Sequence, residues 1–381
     1  MREAAAPSLD RERVFSSFFQ AGFECSTHRR ADGNRLDLLQ ATGHAAHCLA
    51  DYRQVKSLGM KTVRDGARWH LIEPAGSTSR TWDSFLPMLR ASRETGVEVI
   101  WDLMHYGWPD DVDIWRPDFV RRFAAFAAAT ARLVRSETDR VPFYCPINEI
   151  SFFSWAGGDR AFMNPMAEGR SFELKVQLVR AALEATDAIR AVDPRARFLY
   201  CDPVVRIFPK PGHPDDVQHA IGYENAQYQA WDMLSGALWP QLGGDPSILD
   251  IVGVNYYPNN QWYYEGEALH QDHPLRVPFS TILADVASRY GRPVVVSETG
   301  AEADQRAGWF KMIADEVERA LLDGIDVQGI CLYPIIDHVG WDDERACESG
   351  LLSIEMLDGA RRTHAPLEQV LNAQRRQMPP W

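Results

Sequence analysis

The sequence predicts a (β/α)8 barrel, and three observations carry that prediction. Eight apolar, strand-like runs are spread along the chain, and amphipathic, helix-like runs alternate with them. No GxGxxG turn follows the first strand, as an open dinucleotide-binding sheet would usually show. The strands are read in "FFQAGFECS", "MKTVRDGARW", "VEVIWDLMHY", "VPFYCPINEI", "RFLYCDPVV", "ILDIVGVNYY", "RPVVVSETG" and "VQGICLYPIID". Strands alternating with helices indicate parallel βαβ units, and eight units in one chain suggest closure.

Between the strands, "PDFVRRFAAFAAATARLVRS" and "ELKVQLVRAALEATDAIRAVDP" place apolar residues at helical spacing. The second closes on Asp193-Pro194, a helix-stop signal. No low-complexity stretch or Pro/Gly-rich linker divides the chain, so residues 1–381 are expected to form one barrel domain.

A net charge of −13 and a pI near 5.3 argue against nucleic acid and anionic membranes, which attract clustered Lys and Arg. No run reaches the length of a membrane span, and "MREAAAPSLDRERVFSSFF" lacks the apolar core of a signal peptide. Cys25, Cys48, Cys145, Cys201, Cys331 and Cys347 show no CxxC spacing, and four of them fall in strand-like runs. A reduced, cytoplasmic enzyme is the expectation.

Two of the strands each end in a glutamate. "VPFYCPINEISFF" delivers Asn148 and Glu149, and "RPVVVSETGAE" delivers Glu298. Burying a lone carboxylate is costly, so strand ends of this kind suggest function. A barrel also places its functional groups at the C-terminal ends of its strands. The other ends offer Arg64 and Arg68, then Asp102, His105 and Trp108, then Asn255, Tyr256 and Tyr257, and finally Tyr333, Asp337, His338 and Trp341. Such a mouth suits a sugar, which needs polar partners around its ring and a flat apolar face to stack on. Two facing carboxylates suit glycoside hydrolysis, one protonating the leaving oxygen and the other attacking the anomeric carbon or activating water.

These motifs resemble the retaining β-glycosidases of the clan A glycoside hydrolases, closest to the family 1 β-glucosidases. "INE" is similar to the clan's Asn-Glu acid/base motif, and "SETG" to the family's nucleophile motif. "RDGARWHLI", "HYGWP", "GVNYY" and "YPIIDHVGW" match further family motifs in order, from strand two to strand eight. The resemblance implies Glu298 as nucleophile and Glu149 as acid/base. It implies substrate-binding roles for Arg64, His105, Asn148, Asn255, Tyr257, Tyr333 and Trp341, a glycoside or oligosaccharide as small-molecule partner, and no metal or organic cofactor.

The chain also departs from that pattern. Tyr333 replaces a Trp, Gly340 replaces the sugar-binding Glu, Thr299 stands for an Asn, and Ile150 for a Pro. Glu24 or His28 takes the place of the family's strand-one Gln. With no side chain at Gly340, weak discrimination at C4 and C6 of the sugar is expected, with room for a larger C6 substituent.

Plainer readings stand beside these. Glu149 and Glu298 could be structural carboxylates paired with Arg64 or Arg68, and His105 a core histidine. Asp102 and Asp202 are read as partners of Arg or loop caps. His44, His47 and Cys48 form an HxxHC spacing but fall short of the converging ligands a zinc site needs. Two rival functions use the same mouth: a transglycosylase, and a non-catalytic carbohydrate-binding barrel.

Overall fold

Strand-forming runs such as Val294–Thr299 are buried along their whole length, as strands covered on both faces must be. A computed structural model describes residues 12–77 and 79–378. Eight parallel strands close into a barrel: β1 (Phe19–Gly22), β2 (Thr62–Gly66), β3 (Glu98–Asp102), β4 (Phe143–Cys145), β5 (Arg197–Pro203), β6 (Ile251–Asn255), β7 (Val294–Thr299) and β8 (Val327–Leu332). β1 pairs with both β2 and β8, which closes the ring. All eight strands fall inside the runs read as strands from the sequence.

The two helices expected from periodicity form as Pro117–Glu137 and Ser171–Val192, the latter capped by Asp193. The β5–β6 connection is less regular, with short helices at Asp216–Asn225 and Gln229–Leu234. Inside the barrel, Ile100, Phe143, Cys145, Leu199, Cys201, Ile251 and Val295 pack together. Phe15 joins them from the segment before β1, its ring 5.1 Å from that of Phe143. This plug fills the interior below the mouth, so the barrel is a packed core rather than a pore.

Outside the barrel, His44 shows what the HxxHC spacing is for. Its ring is wholly buried, with Nδ1 2.7 Å from Asp51 Oδ2 and Nε2 2.9 Å from Asp65 Oδ2. Arg361 donates to Asp51, and Tyr52 donates to Asp65. His47 is exposed. The cluster ties the helix His44–Ser57 and the hairpin strand Ala360–Thr363 to β2. All six cysteines are unpaired and buried, and no helix among the described residues is long and apolar enough to cross a membrane.

Candidate active site

Alternation along β2 turns Arg64 into the barrel mouth and Asp65 outward to His44. Arg64 is buried and spends its fork on three groups. Nε and Nη2 donate to the two oxygens of Asp102 at 2.9 and 2.7 Å. Nη1 donates to Glu298 Oε1 at 2.6 Å, and Nη2 also to Asn148 Oδ1 at 2.6 Å. Burial works against the guanidinium charge, but Asp102 and Glu298 outweigh it and hold Arg64 above its usual range. Asp102 is accordingly an ion-pair partner. Burial alone would raise its pKa, but Arg64 and His105 bring it below the ordinary value.

Glu298, near the end of β7, accepts a second hydrogen bond from Tyr257 Oη at 2.9 Å. Its strand neighbour Asn255, at the end of β6, is in register with it. Asn255 Nδ2 donates to Glu149 Oε1 at 2.8 Å, while Ser297 Oγ donates to Asn255 Oδ1 at 2.6 Å. One asparagine therefore links the segment bearing Glu298 to the side chain of Glu149.

Glu149 sits between β4 and the helix Ile150–Gly158, in a left-handed conformation with φ 46° and ψ 61°. A non-glycine residue held there costs about 1–3 kcal/mol, and such strain clusters at functional sites. Asp202 on β5 caps the helix, accepting from the Ser151 backbone N–H at 2.9 Å. Burial pushes Asp202 up to about 7, with Lys175 opposing.

The second oxygen of Glu149, Oε2, accepts from Tyr106 Oη. Tyr106 also has a positive φ, of 64°. Sequence reading passed over it, because "HYGWP" drew attention to the histidine; only its place beside His105 could have flagged it. Asn148 Nδ2 donates to Tyr106 Oη at 2.9 Å and lies 3.0 Å from His105 Nε2. The Asn148 amide nitrogen is thus engaged within the site.

The two carboxyls are unequal. Burial raises Glu149 well above the carboxylate range, and the charge of Glu298 adds to it; Tyr106 and Asn255 pull the other way. Burial also raises Glu298, but Arg64 and His105 oppose the rise. One carboxyl lies on a guanidinium and the other does not.

His105 Nδ1 is 2.9 Å from Asp102 Oδ2 and 3.2 Å from Cys25 Sγ. Cys25, Asp102 and His105 converge, and Asp102 also accepts from Arg64 on both oxygens, so the group is a node of the ion-pair network. The Tyr333 ring lies parallel to His105, with centroids 6.1 Å apart, and the Arg64 guanidinium stands 5.4 Å from its centre. Trp341 is half-buried; its ring meets Tyr106 edge-on at 5.5 Å and lies 5.1 Å from His28. Both strand-one alternatives are buried here. Glu24 Oε1 is 3.6 Å from His105 Nε2, and His28, beside Trp341, is pushed down to about 4 by burial.

The space beside Gly340 holds the carboxylate of Asp343, an exposed side chain. A β-carbon on Gly340 would fall 2.1 Å from Asp343 Oδ1, because the loop folds its own carboxylate back over the glycine.

No protein-family model matches the chain. An aryl-phospho-β-D-glucosidase of Bacillus subtilis, BglC, is 21% identical, over 79% of this chain and 79% of that one. Among solved structures, a family 1 β-glucosidase from Thermotoga maritima matches with a TM-score of 0.75 at 16% identity, covering 96% of this chain and 98% of that one. A Thermotoga maritima β-glucosidase in complex with glucoimidazole gives 0.75 and 16%, over 95% and 98% of the two chains. The AHE enzyme from Alicyclobacillus herbarius gives 0.76 and 14%, over 96% and 100%. In fold, the chain is similar to the family 1 β-glucosidases from end to end.

Proposed function

We propose that the protein is a retaining β-glycosidase working by double displacement, with Glu298 as nucleophile and Glu149 as acid/base. The observation that carries this reading is the unequal pair: two buried glutamates at the mouth, one on Arg64 and Tyr257, the other held by Tyr106 and Asn255 with its pKa raised. A raised pKa suits the group that must hand over a proton, and a guanidinium contact suits the group that must attack ionised.

In the first step a Glu298 oxygen bonds to the anomeric carbon. The glycosidic C–O bond breaks, and the departing oxygen takes the proton of Glu149. In the second, water attacks the anomeric carbon, Glu149 accepts its proton, and the bond to Glu298 breaks. Once Glu298 is esterified its charge no longer raises Glu149, which can then ionise to act as base. Arg64, Tyr257 and Asn255 position the two carboxyls. His105, Tyr333 and Trp341 line the sugar position, and a hydroxyl approaching Asn148 must displace one of its internal bonds. The weak relative and the Thermotoga maritima enzyme, named as an aryl-phospho-β-glucosidase and a β-glucosidase, support the β-glycoside class.

A screen of aryl β-glycosides, with the product anomer followed by NMR, tests the reading; release of the β-anomer first is the expected result. Glu149→Ala should lower hydrolysis of substrates with poor leaving groups by about 100-fold or more, the usual worth of a general acid. With an activated phenol and added azide it should give the β-glycosyl azide. Unimpaired hydrolysis by Glu149→Ala would remove the acid/base assignment.

A further inference from the structure

We propose that Tyr106 is a positioning residue for Glu149, its phenol holding the carboxylate form and so setting the pH at which that group changes from acid to base. The inference rests on the glycosidase reading of the two glutamates and gives Tyr106 a role that reading leaves open. Three observations carry it.

The first is connectivity. Tyr106 Oη donates to Glu149 Oε2 and accepts from Asn148 Nδ2, whose own Oδ1 accepts from Arg64 Nη2. Arg64 Nη1 lies on Glu298. The chain Glu298–Arg64–Asn148–Tyr106–Glu149 therefore joins the two carboxyls by side-chain hydrogen bonds alone. The second is the backbone. Both partners of the last bond in that chain, Tyr106 and Glu149, sit at positive φ, and Asn164 Nδ2 pins the Tyr106 carbonyl at 3.0 Å. Two strained residues meeting through one hydrogen bond indicate an arrangement held for its geometry. The third is direction. A phenol that accepts from Asn148 has its proton free to donate, and a donor on a carboxylate stabilises its charged form.

The groups around Glu149 divide in their effect. Glu298 on β7 and Asp202 on β5 favour its protonated form, and burial does the same. Tyr257, after β6, and Arg64 on β2 face Glu298; Glu24, after β1, lies against His105, and Lys175 stands by Asp202. Asn255 on Oε1 and Tyr106 on Oε2 are the two donors that oppose the rise. Of these, Tyr106 is the one wired back to Arg64.

Removing the phenol therefore moves one pKa, and two limbs of the pH profile must follow it. Glycosylation needs protonated Glu149, so its alkaline limb lies at that pKa. Deglycosylation needs ionised Glu149, so its acid limb lies at the corresponding pKa of the glycosyl-enzyme. In Tyr106→Phe both limbs should move to higher pH by about one unit, the size of shift a lost donor to a charged group produces.

The experiment compares wild type with Tyr106→Phe on the aryl β-glycoside the screen selects. The pH profile of kcat/KM with a 4-nitrophenyl leaving group reads the first step, and that of kcat with a 2,4-dinitrophenyl leaving group reads the second. 3-Fluorotyrosine at position 106 keeps the ring and strengthens the donor, so both limbs should move to lower pH. Should Tyr106→Phe fail to fold, the fluorinated protein carries the test alone. Limbs that stay fixed while rates fall uniformly would overturn the proposal and leave Tyr106 a packing residue. A wild-type chain that cleaves no glycoside in the screen would overturn the glycosidase reading instead, a separate outcome.

Discussion

His44→Gln should make stability lose a distinct pH dependence. Both ring nitrogens of His44 face carboxylates, at 2.7 Å from Asp51 and 2.9 Å from Asp65, and only the imidazolium can donate to both. Burial would lower its pKa, but the two carboxylates outweigh that and raise it from 6.5 to about 9. A folded pKa raised above the unfolded one stabilises fully below about pH 6.5, and the contribution is lost as pH rises through about 9. The interval, 9 − 6.5, is about 2.5 units, on the order of 3 kcal/mol. Glutamine cannot titrate, so it removes this component along with a constant packing loss. Urea unfolding of both proteins between pH 6 and 10 separates the two. The stability gap between them should be widest near pH 6 and shrink by about 3 kcal/mol by pH 10. A gap that stays constant across that range would refute the buried imidazolium. The cluster also bears on the site, because Asp65 directly follows Arg64 on β2.

Two further outcomes are expected. Asp202 has its pKa pushed by burial from 3.8 to about 7, so the folded state holds an extra proton between those values and stability falls as pH rises across them. Asp202→Asn keeps the neutral form, and relative to it wild type should lose about 4 kcal/mol between pH 4 and pH 8, read from denaturant midpoints. In Gly22→Ala the new β-carbon would fall 1.9 Å from Tyr333 Cδ2, which drives the ring away from Arg64 and His105. We expect a stability loss of about 1–3 kcal/mol with a fall in kcat/KM; unchanged kinetics would show that the Tyr333 ring plays no part in the site.

The sequence made the barrel legible because parallel strands covered on both faces are apolar throughout, so runs such as "RPVVVSETG" stand out without alternation. The glutamates were legible for a related reason: an acid at the end of such a run conflicts with its surroundings. Arg64, His105, Asn148, Asn255, Tyr257 and Tyr333 stood out by their places at strand ends and by the family resemblance, and the structure brings all six to one mouth. Tyr106 was not legible. A tyrosine in an apolar run reads as packing, and only the left-handed backbone at both Tyr106 and Glu149 brings its hydroxyl to a carboxylate. Nor was the Asn148 amide, which looks free in sequence and in the fold donates to Tyr106 and faces His105.

Gly340 shows how a missing side chain differs from an empty space. Where the sequence resemblance expects a glutamate, a glycine read alone implies a gap. The loop answers with its own backbone: Arg30 donates to the carbonyls of Trp341, Gly340 and Asp343 at 2.8, 2.9 and 3.2 Å. The strands His338–Val339 and Ala346–Cys347 close the loop into a hairpin, with the Gly340 N–H on the Arg345 carbonyl at 2.9 Å. Drawn in this way, the loop sets Asp343 Oδ1 where a β-carbon at position 340 would have to go. A larger residue there would need the exposed Asp343 carboxylate to turn aside. Trp341 is the next residue and Arg30 holds its carbonyl, so the same contacts that close the loop also fix the backbone that presents the indole to His28 and Tyr106. The position of Trp341 therefore depends on a pinned hairpin, and a change to Arg30 should reach the indole through the loop.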